Sequence, residues 1–137
     1  MENTFSLKDK VIVVTGGTGI LGHSFVNGIV EAGGTVGILG RNEAVAKERA
    51  EAINKKGGKA LALVADALDK EQLVAAKGQM VSAFGRIDGL VNGAGGNMPE
   101  GVLQPEEDIF SMNLDGMKKV MDLNLWGTVL PTQVFGE

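Results

Sequence analysis

The residues best placed to do chemistry begin at Thr15, where Thr15-Gly16-Gly17-Thr18-Gly19-Ile20-Leu21-Gly22 follows directly on the apolar run Val11-Ile12-Val13-Val14. Glycines let a backbone turn tightly and approach another group closely, and a helix opening at this point presents unbonded N–H groups and a partial positive charge. A pyrophosphate requires that combination, so Gly16, Thr18, Gly19, Ile20 and Leu21 are candidate contacts to a dinucleotide. A purely structural strand-to-helix turn would explain Gly22, a helix-packing position, better than it explains all four glycines together.

About twenty residues further on, a dinucleotide fold usually carries an acid for the adenosine ribose hydroxyls. Here that place holds Gly40-Arg41-Asn42. No carboxylate repels a 2′-phosphate, and Arg41, beside Asn42, could pair with one, so NADP(H) is expected in preference to NAD(H). The competing reading makes Arg41 a solvated helix-start residue. Asp66 and Ala67, in Val64-Ala65-Asp66-Ala67, fall where an adenine edge would come, unless Asp66 merely caps a turn. Asn92-Gly93-Ala94-Gly95 is a run of small residues of the kind found where a ligand or another backbone approaches closely. The single histidine, His23, has no partner motif to orient it and is not expected to act as an acid or base. Glu106-Glu107-Asp108 after Pro105 reads as a solvated helix start, and no metal site is expected.

The elements that must position these residues show in the hydrophobic periodicity. Short apolar runs at Val11–Val14, Val36–Leu39, Ala60–Ala65 and Ile87–Val91 alternate with helical stretches, which implies βαβ units. The first helix should face inward with Leu21, Phe25, Ile29 and Val30 and stop at Gly33-Gly34. Asn42 can cap the second, with Val45, Ala46, Arg49 and Ile53 inward. The third opens on Asp69-x-x-Gln72, a capping-box form, with Leu73, Val74, Met80, Val81 and Phe84 inside and Gly85 at its end. From Asn97 to Pro105 the pattern becomes that of a loop or lid, followed by a long helical tract (Leu114, Met117, Val120, Met121, Leu125, Val129, Leu130) that Asn124 and Pro131 should interrupt. The fold class is therefore α/β, a Rossmann-type doubly wound parallel sheet of four strands in the order 3-2-1-4.

Composition narrows the field. The chain has 137 residues, 21 of them glycine, and with three prolines and no Gly-X-Y period the excess belongs to turns and close approaches. There is no cysteine, hence no disulfide, thiolate metal site or cysteine nucleophile. A net charge of −4 without a basic run argues against nucleic acid as a partner. No stretch suggests a signal peptide or a membrane span, and the chain reads as cytoplasmic with a small-molecule substrate.

Thr15 to Gly22, Asp66, Asn92-Gly93-Ala94-Gly95 and Asp122-Leu123-Asn124-Leu125, in this order and spacing, resemble the short-chain dehydrogenase/reductase family across nearly the whole chain. The resemblance implies an NAD(P)-dependent oxidoreductase acting on a secondary alcohol or ketone. In that family the stretch matching Asn92 to Gly95 stabilises the sheet beside the cofactor, and the asparagine matching Asn124 breaks a long helix and holds a water of the proton relay. That makes Asn124 the one catalytic candidate. Asn92 to Pro99, Asp122 to Thr128 and Leu130-Pro131-Thr132-Gln133 are similar to a sugar-acid subgroup acting on D-mannonate and D-fructuronate. The spacing Gly16-x-x-Gly19-x-x-Gly22 instead resembles the extended branch, which leaves an NAD-dependent epimerase or dehydratase as an alternative.

One departure from the family pattern is large. The family's acid/base is the tyrosine of a Tyr-x-x-x-Lys downstream of the asparagine, and this chain contains no tyrosine. Residues 1–137 are accordingly expected to be the N-terminal part of one NAD(P)-binding Rossmann domain, inactive alone; the resemblance implies that the intact enzyme forms homodimers or homotetramers. A non-catalytic nucleotide-binding module is the alternative from another class.

Overall fold

The computed structural model describes residues 4–137. Four parallel strands, β1 (Val11–Thr15), β2 (Thr35–Gly40), β3 (Lys59–Val64) and β4 (Gly89–Asn92), form one sheet in the order β3-β2-β1-β4. Helices α1 (Ile20–Glu31), α2 (Glu43–Lys55) and α3 (Lys70–Phe84) make the crossovers. Beyond β4 come two short 3-10 turns, then α4 (Leu114–Met121), a π-helical turn (Asp122–Trp126) and α5 (Gly127–Phe135). The expected strand order is observed.

Strand alternation divides the core into two layers. Ile12 and Val14 of β1 and Val36 and Ile38 of β2 pack with Val26 and Ile29 of α1 and Ala46, Ala50 and Ile53 of α2. Val11, Val13, Leu39 and Leu63 pack on the other face with Leu73, Ala76 and Met80 of α3 and Val134 and Phe135 of α5. Because β1 is central and covered on both faces, every one of its residues is buried.

Local signals set the helix ends. Asn42 accepts the N–H of Val45 and caps α2, and Asp69 accepts that of Gln72 and caps α3. Gln72 reaches past Asp69 to take the Asp66 N–H through Oε1, a variation on the capping box. Gly85 ends α3 in the left-handed conformation, φ +78°.

Three expectations are corrected, two of them inward faces. In α1 the buried residues are Gly22, Val26 and Ile29, whereas Leu21 and Phe25 are exposed, so the true face lies one residue, or 100°, round the helix. In α3 Leu73, Ala76 and Met80 hold the inner face, and Val74 and Val81 lie outside. Adjacent apolar pairs such as Leu73-Val74 offer two overlapping faces, and only packing decides between them. The third correction is Pro131, which does not end its helix: α5 runs through it to Phe135 with the ring buried. The interruption at Asn124 is observed, as the π-helical turn.

Candidate dinucleotide site

The strands of a parallel sheet all end on one edge, and ligands of such folds bind outside those carboxyl ends. In this chain the residues leaving β1 to β4 line one cleft of ≈ 220 Å³: Gly16, Thr18 and Gly19 after β1, Gly40 and Arg41 at β2, Ala65 to Ala67 after β3, and Gly93 to Gly95 after β4. Nine predicted site residues thus meet: Gly16, Thr18, Gly19, Arg41, Asp66, Ala67, Gly93, Ala94 and Gly95. Pockets that enclose a whole small ligand usually measure about 300–1,000 Å³, so this cleft matches part of a dinucleotide. Roomier hollows lie elsewhere, among them ones of ≈ 370 and ≈ 470 Å³ lined by helix flanks and by the loops at the opposite strand ends, which hold none of these residues.

The glycine-rich turn is built from backbone contacts that admit no side chain. Gly16 has φ +65°, and a Cβ there would run into the carbonyl of Gly93. Gly22 lies against the carbonyl of Gly16, so the first turn of α1 sits directly on the loop. Gly17 N–H donates to Leu39 O (2.9 Å) and Gly19 N–H to Gly16 O (3.0 Å). Gly19, the N-cap of α1, offers no side-chain acceptor, and the first turn holds no acidic residue. The amides at the start of α1, among them those of Ile20 and Leu21, therefore remain available to an external anion.

The side-chain-free turn, the uncapped helix end and the cleft running from Arg41 to Gly95 suit a pyrophosphate flanked by two nucleosides. Arg41 is exposed on the cleft wall and makes no hydrogen bond or ion pair with another described residue. Asp66 Oδ1 accepts the Leu68 N–H at 2.9 Å in a turn, and the residue also lines the cleft.

The other predicted residues stand at its margins. Asn42 spends its side-chain oxygen on the α2 cap. Asn92 donates to Thr132 Oγ1 at 3.0 Å, which ties the end of β4 to α5. Asn124 clamps the loop after β4: Nδ2 donates to Gly96 O (2.7 Å) and Val120 O (2.8 Å), and Oδ1 accepts the Gly96 N–H (3.2 Å). The wide π-helical turn leaves Val120 O for this side chain. His23 Nε2 lies 3.1 Å from Asn27 Nδ2 on the exposed side of α1, outside the cleft.

Sequence reasoning missed three contributors. Thr15, fully buried, accepts the N–H groups of Gly93 and Ala94 through Oγ1, both at 3.1 Å, and so joins two walls of the cleft. Leu123 closes one side. Arg49 Nη1 donates to the carbonyls of Gly17 (2.6 Å) and Gly19 (2.9 Å) from beneath the loop. Only Arg49 had left a signal, a cation at an inward helix position that must find acceptors.

A family model for short chain dehydrogenases matches residues 10–136, and the chain belongs to that family. Its relatives include an uncharacterized oxidoreductase, UxuB, of Bacillus subtilis, 34% identical over 96% of this chain and 50% of that protein. The 2-dehydro-3-deoxy-D-gluconate 5-dehydrogenase of Dickeya dadantii is 34% identical over 90% of this chain and 45% of its own length. Among solved structures, a Haemophilus influenza protein provisionally assigned as a D-mannonate oxidoreductase, crystallised with bound NAD, superposes with a TM-score of 0.85 at 32% identity, covering 96% of this chain and 50% of that one. The chain thus spans about half the length of the relatives it matches. Among the described residues no helix is long and apolar enough to cross a membrane.

Proposed function

We propose that this chain forms the dinucleotide-binding part of a cytoplasmic NAD(P)-dependent oxidoreductase that interconverts a secondary alcohol and a ketone on a sugar acid such as D-mannonate or D-fructuronate. One observation carries the reading: the glycine-rich turn, Arg41, Asp66 and Gly93 to Gly95 converge on a single cleft at the carboxyl edge of the sheet. Relatives named for sugar-acid chemistry support the substrate class.

In this reading the amides of Thr18, Ile20 and Leu21 bind the pyrophosphate, Arg41 and Asn42 flank the adenosine ribose, and Asp66 and Ala67 meet the adenine. Asn92 to Gly95 form the wall nearer the nicotinamide. The cofactor, when bound, supplies the hydride chemistry, and the protein orients it. Asn124 is the chain's own catalytic candidate, through the backbone its side chain holds in place; the substrate acid/base lies outside residues 1–137, and the intact enzyme is a homodimer or homotetramer.

Arg41 favours NADP(H), because a guanidinium unpaired by the protein can take a 2′-phosphate with two parallel hydrogen bonds. Titration of the chain with NADPH and NADH, followed by nicotinamide fluorescence, tests this. Tighter binding of NADPH, with the preference lost in Arg41→Ala, supports the assignment. Equal affinities would move it to NAD(H), the cofactor bound in the Haemophilus relative, and binding of neither would refute the cofactor reading.

A further inference from the structure

We propose that Arg49, on α2, is a positioning residue for the anion site: by holding two carbonyls of the glycine-rich loop it aims the amides of Thr18 and Ile20 at the bound pyrophosphate. The inference rests on the dinucleotide reading and adds a residue from outside the loop to it. Its basis is the orientation of two peptide groups. Arg49 Nη1 binds Gly17 O at 2.6 Å and Gly19 O at 2.9 Å. In a trans peptide the N–H points opposite to the C=O. Fixing the Gly17 carbonyl therefore turns the N–H of Thr18 away from α2, and fixing the Gly19 carbonyl does the same for Ile20.

The hydrogen bonds of the loop agree with this division. Gly17 N–H is taken by Leu39 O, Gly19 N–H by Gly16 O, and His23 N–H by Gly19 O. Thr18 and Ile20 N–H have no partner among the described residues, and they belong to the two peptides whose carbonyls Arg49 holds. A loop of glycines has little conformational preference of its own, so an external tether is what selects this arrangement. Charge adds to the effect. No carboxylate pairs with Arg49 among the described residues, so its positive charge is not cancelled locally and reinforces the N-terminus of α1.

The test compares the unaltered chain with Arg49→Met, which keeps most of the length but donates nothing, and with Arg49→Lys, which keeps the charge. In Arg49→Met the dissociation constant for NADH or NADPH should rise about tenfold or more, as for a lost charged hydrogen-bond donor. Arg49→Lys should recover part of the loss, whereas a residue that only stabilised the fold would move the melting temperature and leave affinity unchanged. Affinity of Arg49→Met within twofold of the original overturns the proposal. A second measurement needs no ligand: hydrogen exchange at the Gly17 and Gly19 amides should accelerate several-fold in Arg49→Met, and unchanged exchange also overturns it. Should the unaltered chain bind neither dinucleotide, the cofactor reading fails, and the claim that Arg49 shapes the loop is decided by exchange alone.

Discussion

Replacing Thr15 by valine or by serine separates hydrogen bonding from packing at the junction of β1 and the loop after β4. The side chain is fully buried, and Oγ1 accepts two amides, Gly93 N–H and Ala94 N–H, each at 3.1 Å. Valine preserves the shape and removes the acceptor. Gly93 N–H then keeps a second partner, Val91 O at 3.1 Å, but Ala94 N–H loses the one it has. Leaving a half-buried donor unsatisfied sets the cost at about 2 kcal/mol. Serine keeps the acceptor and loses one buried methyl, at about 1 kcal/mol. For a chain of this size 1 kcal/mol corresponds to roughly 3–4 °C of melting temperature, so Thr15→Val should melt about 7 °C below the original and Thr15→Ser about 3 °C below. Urea titration and thermal unfolding followed by circular dichroism read both. If serine destabilises as much as valine or more, the methyl and not the hydroxyl secures the junction, and the reasoning is refuted.

Three further expectations follow from individual contacts. Gly22→Ala drives a Cβ into the Gly16 carbonyl and should destabilise by about 3 kcal/mol, whereas Gly28→Ala and Gly78→Ala, with no atom near the new Cβ, should each stabilise by roughly 0.5–1 kcal/mol in the same unfolding assay. Asp88 is held below the usual carboxylate range, first by its hydrogen bond from Arg86 and then by the Val11 N–H. Its stabilisation is therefore full above the unfolded value of about 3.9 and lost as pH falls through the lower folded value; urea midpoints between pH 2 and 7 should fall at the acid end, less steeply for Asp88→Asn. Asn124→Ala should cost about 2 kcal/mol from lost hydrogen bonds. Asn124→Asp should cost more, because a carboxylate oxygen would face the carbonyls of Gly96 and Val120, and thermal melts of the two variants give the order.

Features coded by neighbouring residues were legible in advance. The glycine-rich turn, the caps at Asn42 and Asp69, the stop at Gly85 and the strand order all follow from short-range chemistry repeated at βαβ spacing. The misses arise where two distant segments meet. Leu21 and Phe25 are as apolar as Val26 and Ile29, and periodicity alone could not choose between faces 100° apart; the Phe25 ring lies instead near Gly93, across from α1. Arg49 stood at an inward position, yet which acceptors it would find depends on how α2 crosses the β1–α1 loop, and that crossing is a property of packed layers. Thr15 looked like the first residue of a turn and is the last of a strand, because it is paired with Leu39 and Asn92, and the two amides its hydroxyl accepts lie 78 and 79 residues away.

The same distinction bears on the segment after β4, which reads in sequence as a loop or lid. Its first part is tied down at three places. Thr15 holds Gly93 and Ala94, and Asn124 clamps Gly96 through both its N–H and its C=O. Pro99–Gly101 then packs onto α4, where a Cβ at Gly116 would strike the Glu100 carbonyl and one at Gly101 would reach Val120 Cγ2 at 2.7 Å. Glycines that look like turn markers in the sequence thus serve here to bring two backbones together. Gly93 to Gly95 therefore line the cleft on a backbone held by Thr15 and Asn124, whereas the hydrogen bonds of residues 102–113, apart from Val102 N–H to Pro99 O and the cap of α4, stay within the segment, so any opening or closing over a bound ligand is expected there rather than at 93–101.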